Sequence, residues 1–86
     1  MSRRYRRSEQ WLDGALASIP LGAQTFSKSR TQLPVGAAPL FAERATGPRL
    51  WDLDGNEYLD FVNALLAVTL GYADPDADAA VAEQLR

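Results

Sequence analysis

The sequence contains no cysteine and no histidine. Without thiols there is no disulfide framework and no thiolate nucleophile. Without imidazoles, neither the common zinc ligand sets nor a Ser/His/Asp triad can be assembled. No Gly-rich motif that cradles a phosphate occurs. Long apolar runs are missing too: the longest, Ala64 to Val68, is broken by Thr69 and falls far short of the about 20 residues that a membrane-spanning helix needs. Arg3, Arg4, Arg6 and Arg7 are followed by no uninterrupted apolar run, so neither a secretory signal nor a membrane partner is expected. A cysteine-free chain suits the reducing cytoplasm. Lysine is reduced to one, Lys28, so any Schiff base formed by this chain itself falls there.

With 86 residues, the chain buries only about 60–65% of its unfolded surface. Small domains usually compensate with disulfides, a metal or association, and the first two lack their residues here. Association, or a larger body of which this is a part, is what remains. The charges are lopsided: residues 1–49 carry eight basic and three acidic side chains, residues 50–86 one basic and eight acidic. The two halves therefore attract. Residues 1–8 read as a basic, disordered leader, or alternatively as a patch for phosphate or nucleic acid. The acidic strands that follow repel a phosphate backbone, which argues against nucleic acid as a partner.

Ser8 is a candidate N-cap with Glu9 in the first turn, and Trp11, Leu12, Ala15, Leu16 and Ile19 recur along one helical face. The pattern predicts a helix over about 9–18, stopped by Pro20. From Leu21 to Pro39 neither period holds, and such a stretch belongs to a functional loop or to a chain draped over a partner surface. Three short runs, Leu40–Ala45, Arg49–Leu53 and Glu57–Val62, are separated by Thr46-Gly47-Pro48 and Asp54-Gly55-Asn56. They predict a three-stranded antiparallel meander with a tight turn at Asp54-Gly55. In it Trp51 and Leu53 share one face and Asp52 takes the other, while Tyr58, Leu59 and Phe61 pack the return strand. Asp74 and Pro75 open a C-terminal helix with an acidic first turn and an apolar stripe of Ala77, Ala80, Val81 and Leu85. That helix reaches Arg86 without a stop signal, consistent with a chain truncated before a larger domain. The fold class is α+β.

Asp52-Leu53-Asp54-Gly55 matches positions 3, 5 and 6 of a calcium loop, but Leu50 and Phe61 stand where the first carboxylate and the bidentate Glu belong. A hairpin turn with solvated acids is the plainer reading. Lys28 lies in the polar run Ser27-Lys28-Ser29-Arg30, which offers no burial to activate an amine. It reads as an exposed loop lysine, or as a fixed cation that recognises an anionic group. Arg30 divides the same way. Trp11, Trp51, Tyr58, Phe61 and Tyr72 read as core packing rather than a stacking platform.

Taken together, Ile19-Pro20-Leu21-Gly22-Ala23-Gln24-Thr25-Phe26-Ser27-Lys28-Ser29, then Ala38-Pro39-Leu40-Phe41, then Gly47-Pro48-Arg49-Leu50-Trp51-Asp52-Leu53-Asp54-Gly55-Asn56-Glu57-Tyr58-Leu59-Asp60-Phe61, resemble the opening of class III aminotransferases. The flavour is that of the glutamate-1-semialdehyde aminomutase-like branch, and Leu70-Gly71-Tyr72-Ala73-Asp74-Pro75 extends the likeness to residues 9–86. The resemblance implies the N-terminal part of a fold-type I enzyme that uses pyridoxal 5'-phosphate to transfer or migrate an amino group. Such enzymes are homodimers acting on a small amino donor and acceptor. The resemblance puts the Schiff-base lysine, the acid that pairs with the pyridine nitrogen and most phosphate contacts beyond these residues, so no catalytic or cofactor-binding residue is carried over. By resemblance, Lys28 falls where a basic residue binds the substrate carboxylate, with Thr25 beside it. Asn63, Ala64, Leu65 and Leu66 fall on a segment that lines the substrate pocket. The pattern departs at Leu65, where the branch tends to carry an aromatic, and at Ala64 and Ala67, where Gly or Pro tends to stand. A sugar-linked or other amino acceptor is therefore an open alternative to glutamate-1-semialdehyde. The competing reading, from another class, is a free-standing small α+β interaction module without catalysis.

Overall fold

The computed structural model describes residues 3–86; the first two residues of the expected leader lie outside them. A 3-10 turn, Arg3–Tyr5, leads into helix α1, Arg6–Ser18. The helix therefore begins three residues before the expected start. Ser8 is not its cap but its third residue, and its side chain is fully buried. Leu12, Ala15 and Leu16 are half-buried along α1, whereas Trp11 and Ile19 are exposed. Trp11 meets Phe41 with ring centroids 6.4 Å apart and planes tilted by 57°. As expected, the stretch after α1 is irregular, with 3-10 turns at Pro20–Gly22 and Phe26–Lys28 and a turn in which the Ala37 N–H donates to the Pro34 carbonyl.

The predicted meander is present. Strands β1 (Ala42–Thr46), β2 (Arg49–Asp52) and β3 (Glu57–Leu59) form an antiparallel sheet in the order β1-β2-β3. Ala42 faces Asp52 while Arg44 faces Trp51, so β1 carries a bulge around Glu43. Arg44 stacks its guanidinium 3.7 Å from the centre of the Trp51 ring, and Arg49 pairs with Glu57 at 2.9 Å. Both contacts are on the surface and contribute little.

The expected alternation fails at the strand ends. Asp52 is fully buried instead of solvated, and Leu53 is buried as well. The chain leaves β2 at Asp52, so Leu53 belongs to the turn and the period of two stops applying. β3 ends at Leu59 because the Asp60 Oδ1 accepts the N–H groups of Val62 and Asn63 and turns the chain. Phe61 then escapes the sheet and is 91% exposed rather than part of the core. Among the described residues only Tyr5 and Leu53 are buried large apolar side chains, so the core is a small junction between the start of α1 and the β2–β3 turn.

Beyond β3, the one-turn helix α2, Asn63–Leu66, is left-handed: Ala64 has φ 46° and ψ 43°, Leu65 φ 58° and ψ 43°, and Asn63 and Leu66 also have positive φ. Gly47 and Tyr72 then form an isolated antiparallel bridge, each N–H donating to the other's carbonyl at 2.8 and 2.9 Å. Helix α3, Pro75–Gln84, starts as its sequence predicts, with Asp74 Oδ2 accepting the Ala77 N–H at 2.9 Å. None of its residues is buried. No helix among the described residues is long and apolar enough to cross a membrane.

Candidate functional site

Three arrangements stand out, beginning with the β2–β3 turn. Asp52 Oδ1 accepts the N–H groups of Asp54 and Asn56 at 2.9 Å each, and its Oδ2 accepts Asn56 Nδ2 and the Tyr58 hydroxyl at 2.8 Å each. Burial alone raises the pKa of this carboxyl. The donors from Asn56, Tyr58 and the two backbone N–H groups outweigh it and hold the pKa below the ordinary carboxylate value. Burial, and then the hydrogen bonds to Asp52 and Tyr5, push the Tyr58 phenol up. Gly55 takes φ +84°, as a tight turn here requires.

This turn also holds the start of α1. The Arg7 N–H donates to both Asp54 carboxylate oxygens at 2.9 and 3.1 Å, and the Ser8 N–H to Oδ2 at 3.3 Å. In return Arg7 Nη1 donates to the Leu53 carbonyl at 2.6 Å, and Asn56 Nδ2 to the Arg4 carbonyl at 2.9 Å. The opposed charges of the two halves are legible in the sequence; this docking is not. The local candidate Ser8 concealed a cap supplied from 46 residues away.

The second arrangement is an open cleft of about 440 Å³ lined by Gly47, Pro48, Asp60, Phe61, Asn63 and residues 68–72. The Tyr72 hydroxyl donates to Asp60 Oδ2 in a short hydrogen bond. That bond, with the N–H of Asn63 and then Val62, lowers the Asp60 pKa against a small opposing effect of burial. The same bond, reinforced by burial and by the Asp60 charge, raises that of Tyr72. Gly71 makes the cleft floor possible: a Cβ there would stand 2.9 Å from Gly47 Cα, and its φ is +92°.

The third is the Thr25–Ser29 loop. The Lys28 N–H donates to the Thr25 carbonyl at 3.2 Å, closing the 3-10 turn, and Thr25 Oγ1 is 3.4 Å from Ser27 Oγ. Ser29, almost fully buried, ties the turn down through Oγ to the Phe26 carbonyl at 2.8 Å and to Thr31 Oγ1 at 2.6 Å. Lys28 itself is exposed. Of the residues that the resemblance points to, Asn63 lines the cleft; Thr25, Lys28 and Leu65 do not. Leu65 is 71% exposed on the left-handed turn. No hydrogen bond or ion pair among the described residues joins the Thr25–Lys28 loop to α2.

Residues 32–86 match the model of the family described as aminotransferase class-III. Glutamate-1-semialdehyde 2,1-aminomutase 2 of Exiguobacterium sibiricum is 40% identical over 84 residues, covering 98% of this chain and 19% of the relative. Acetylornithine aminotransferase of a Nostoc species is 41% identical over 73 residues, covering 85% of this chain and 17% of the relative. The crystal structure of a glutamate-1-semialdehyde aminomutase from Pseudomonas aeruginosa superposes with a TM-score of 0.80 at 30% identity, covering 96% of this chain and 18% of that one. An ornithine aminotransferase from Toxoplasma gondii, with partial occupancy of PLP at its active site, matches at a TM-score of 0.52 and 28% identity, covering 90% of this chain and 18% of that one. The chain thus spans about a fifth of the length of the relatives it matches, and its helix, three-stranded sheet and closing helix follow one part of such a structure. On the family match across most of its length, this chain belongs to the class III aminotransferases.

Proposed function

We propose that this chain is the N-terminal part of a pyridoxal-phosphate-dependent aminomutase or aminotransferase, and that it contributes an edge of the substrate pocket and contacts to the rest of the enzyme and to a second subunit. The observation that carries the reading is the surface that follows β3. Phe61, Leu65, Leu66 and Leu70 are each more than 70% exposed within ten residues of chain, an apolar concentration that soluble monomers rarely leave open. A larger body that covers it accounts for the pattern. In this reading Lys28 is a fixed cation for the substrate carboxylate, Thr25 its neighbour, and Asn63 and Leu65 line the pocket.

The residues of this chain do not fit the cofactor itself. Its one lysine is exposed at the end of a 3-10 turn; of its two buried acids, Asp52 spends both oxygens on Asp54, Asn56 and Tyr58, and the Glu9 carboxylate is shut off from solvent in the first turns of α1. What this chain supplies is binding and orientation, not group transfer.

Two measurements test the reading. The 86-residue chain mixed with pyridoxal phosphate is expected to develop no visible absorbance band of a bound cofactor; a robust band that disappears on Lys28→Ala overturns it. In the enzyme that carries this segment, assayed with glutamate-1-semialdehyde and with acetylornithine, Lys28→Ala is expected to raise KM for the accepted substrate roughly tenfold or more, the loss of one charge-assisted hydrogen bond. An unchanged KM removes Lys28 from the pocket.

A further inference from the structure

The first four N–H groups of a helix have no partner inside it, and a local Ser, Thr, Asp or Asn normally serves the second or third. In α1 the cap position is held by Tyr5, whose side chain makes no capping hydrogen bond. The N–H groups of Arg7 and Ser8, the second and third of the helix, both donate to the carboxylate of Asp54. The helix dipole favours a negative charge at this end. Asp54 is itself fixed, because its own N–H is held by the buried Asp52. The clasp closes from the other side through Arg7 on the Leu53 carbonyl and Asn56 on the Arg4 carbonyl.

The far end of α1 launches the Thr25–Lys28 loop. The Ile19 N–H still donates to Ala15, the Gly22 N–H donates to Ile19, and a Cβ on Gly22 would stand 3.4 Å from Leu16 Cδ2. The Pro20–Gly22 turn therefore folds back against the helix. Thirteen residues make a lever of roughly 20 Å, so a tilt of about 10° at the clasp carries the far end by roughly 3 Å. That is the difference between a hydrogen bond and none.

We propose that Asp54 is a positioning residue: by capping α1 from the β2–β3 turn it fixes the helix from whose far end Thr25 and Lys28 are presented to the substrate. The proposal rests on the reading of Lys28 given above. Removing the carboxylate leaves the start of α1 held only through Arg7 on the Leu53 carbonyl and Asn56 on the Arg4 carbonyl, which lets the helix tilt and loosens the loop at its other end although nothing there has been touched.

The test is amide hydrogen exchange on the intact protein, wild type against Asp54→Ala and Asp54→Asn. Asp54→Ala is expected to speed exchange at Arg7 and Ser8 roughly fivefold or more and to raise it in Thr25–Ser29 as well. Asp54→Asn, whose side-chain oxygen still caps, is expected to bring both regions to within about twofold of wild type. A purely local role moves Arg7 and Ser8 alone, and that outcome overturns the positioning claim. Wild-type amides at Arg7 and Ser8 that exchange as fast as in Asp54→Ala overturn the clasp. Should Asp54→Ala not fold, wild-type exchange at Arg7 and Ser8 reads the same contact: both amides are expected to exchange at least roughly fivefold more slowly than in an unstructured peptide of the same sequence, and rates equal to the peptide's overturn the clasp. None of these readouts depends on Lys28. A Lys28→Ala enzyme with unchanged KM therefore sinks the pocket reading while the exchange data judge the clasp separately.

Discussion

The β2–β3 turn and the segment from Phe61 to Leu70 are separated by β3 alone, yet they solve opposite problems. In the turn, a fully buried carboxylate receives four donors, a second carboxylate caps a helix, and the backbone strain is confined to a glycine. In the later segment four consecutive non-glycine residues take left-handed geometry and the large apolar side chains face outward. Left-handed backbone costs about 1–2 kcal/mol per residue, and the hydrogen bonds that hold the turn, such as Ala67 N–H to the Ala64 carbonyl and Val68 N–H to the Asn63 carbonyl, come without any buried side chain. One region finds its partners within the chain; the other holds its large apolar side chains out to solvent.

Removing the centre of the complete region gives the largest effect. Asp52→Ala leaves the N–H groups of Asp54 and Asn56, Asn56 Nδ2 and the Tyr58 hydroxyl without their acceptor. At about 1–3 kcal/mol for an orphaned buried group, the expected loss is about 3 kcal/mol or more, read as a fall in the denaturant midpoint. A change below about 1 kcal/mol would mean that the turn is held by its glycine and not by Asp52. Next comes Gly71→Ala, where a methyl group meets Gly47 Cα at 2.9 Å and φ is +92°. The expected cost is about 2 kcal/mol, together with loss of the Gly47–Tyr72 bridge, visible as faster exchange of both amides. In the strained region the sign reverses. Ala64→Gly or Leu65→Gly removes the left-handed penalty of about 1–2 kcal/mol and adds about 0.5–1 kcal/mol of chain entropy, so each is expected to stabilise the protein by about 0.5–1 kcal/mol. Destabilisation by either would show that the side chains there already pack, and would erase the contrast between the regions.

The same contrast explains what the sequence made legible. Strand positions, the tight turn at Gly55 and the Asp74-Pro75 helix start are local signals: turn residues, alternation and a cap within three residues of its donor. The start of α1 is not legible locally, because its cap comes from Asp54 and no window around Ser8 contains that residue. Alternation gives Asp52 a face and not a depth, so it predicts a solvated acid where the donors of Asp54, Asn56 and Tyr58 surround a buried one. The strand period, extended past Asp60, puts Phe61 in the core, but the Asp60 side chain captures the N–H groups of Val62 and Asn63 and ends the strand. For the candidate site, resemblance pointed to Thr25, Lys28, Asn63 and Leu65, but composition and spacing alone had no means of finding the Asp60–Tyr72 pair, because both residues look like ordinary strand and loop positions.

The smallest expected effect concerns that pair, which lies between the two regions and shares in both. The folded-state pKa of Asp60 lies below its unfolded value, chiefly because Tyr72 donates to it. A carboxyl with a depressed pKa adds stability that is fully present above the unfolded value of about 3.9 and is lost as pH falls through the folded value. Asp60 is only half-buried, so screening keeps its share small. Asp52 titrates in the same direction from full burial, so it dominates the acid limb. The unfolding midpoint should therefore fall steadily below about pH 4. Asp60→Asn should flatten that fall only slightly, and Asp52→Asn should flatten it more. At the alkaline end the raised pKa values of Tyr58 and Tyr72 contribute stability below the ordinary tyrosine value near 10 that is lost above the folded ones, and Tyr72→Phe should remove only its own part of that limb. Should Asp60→Asn flatten the acid limb more than Asp52→Asn does, the cleft and not the clasp would be the electrostatic centre of this segment.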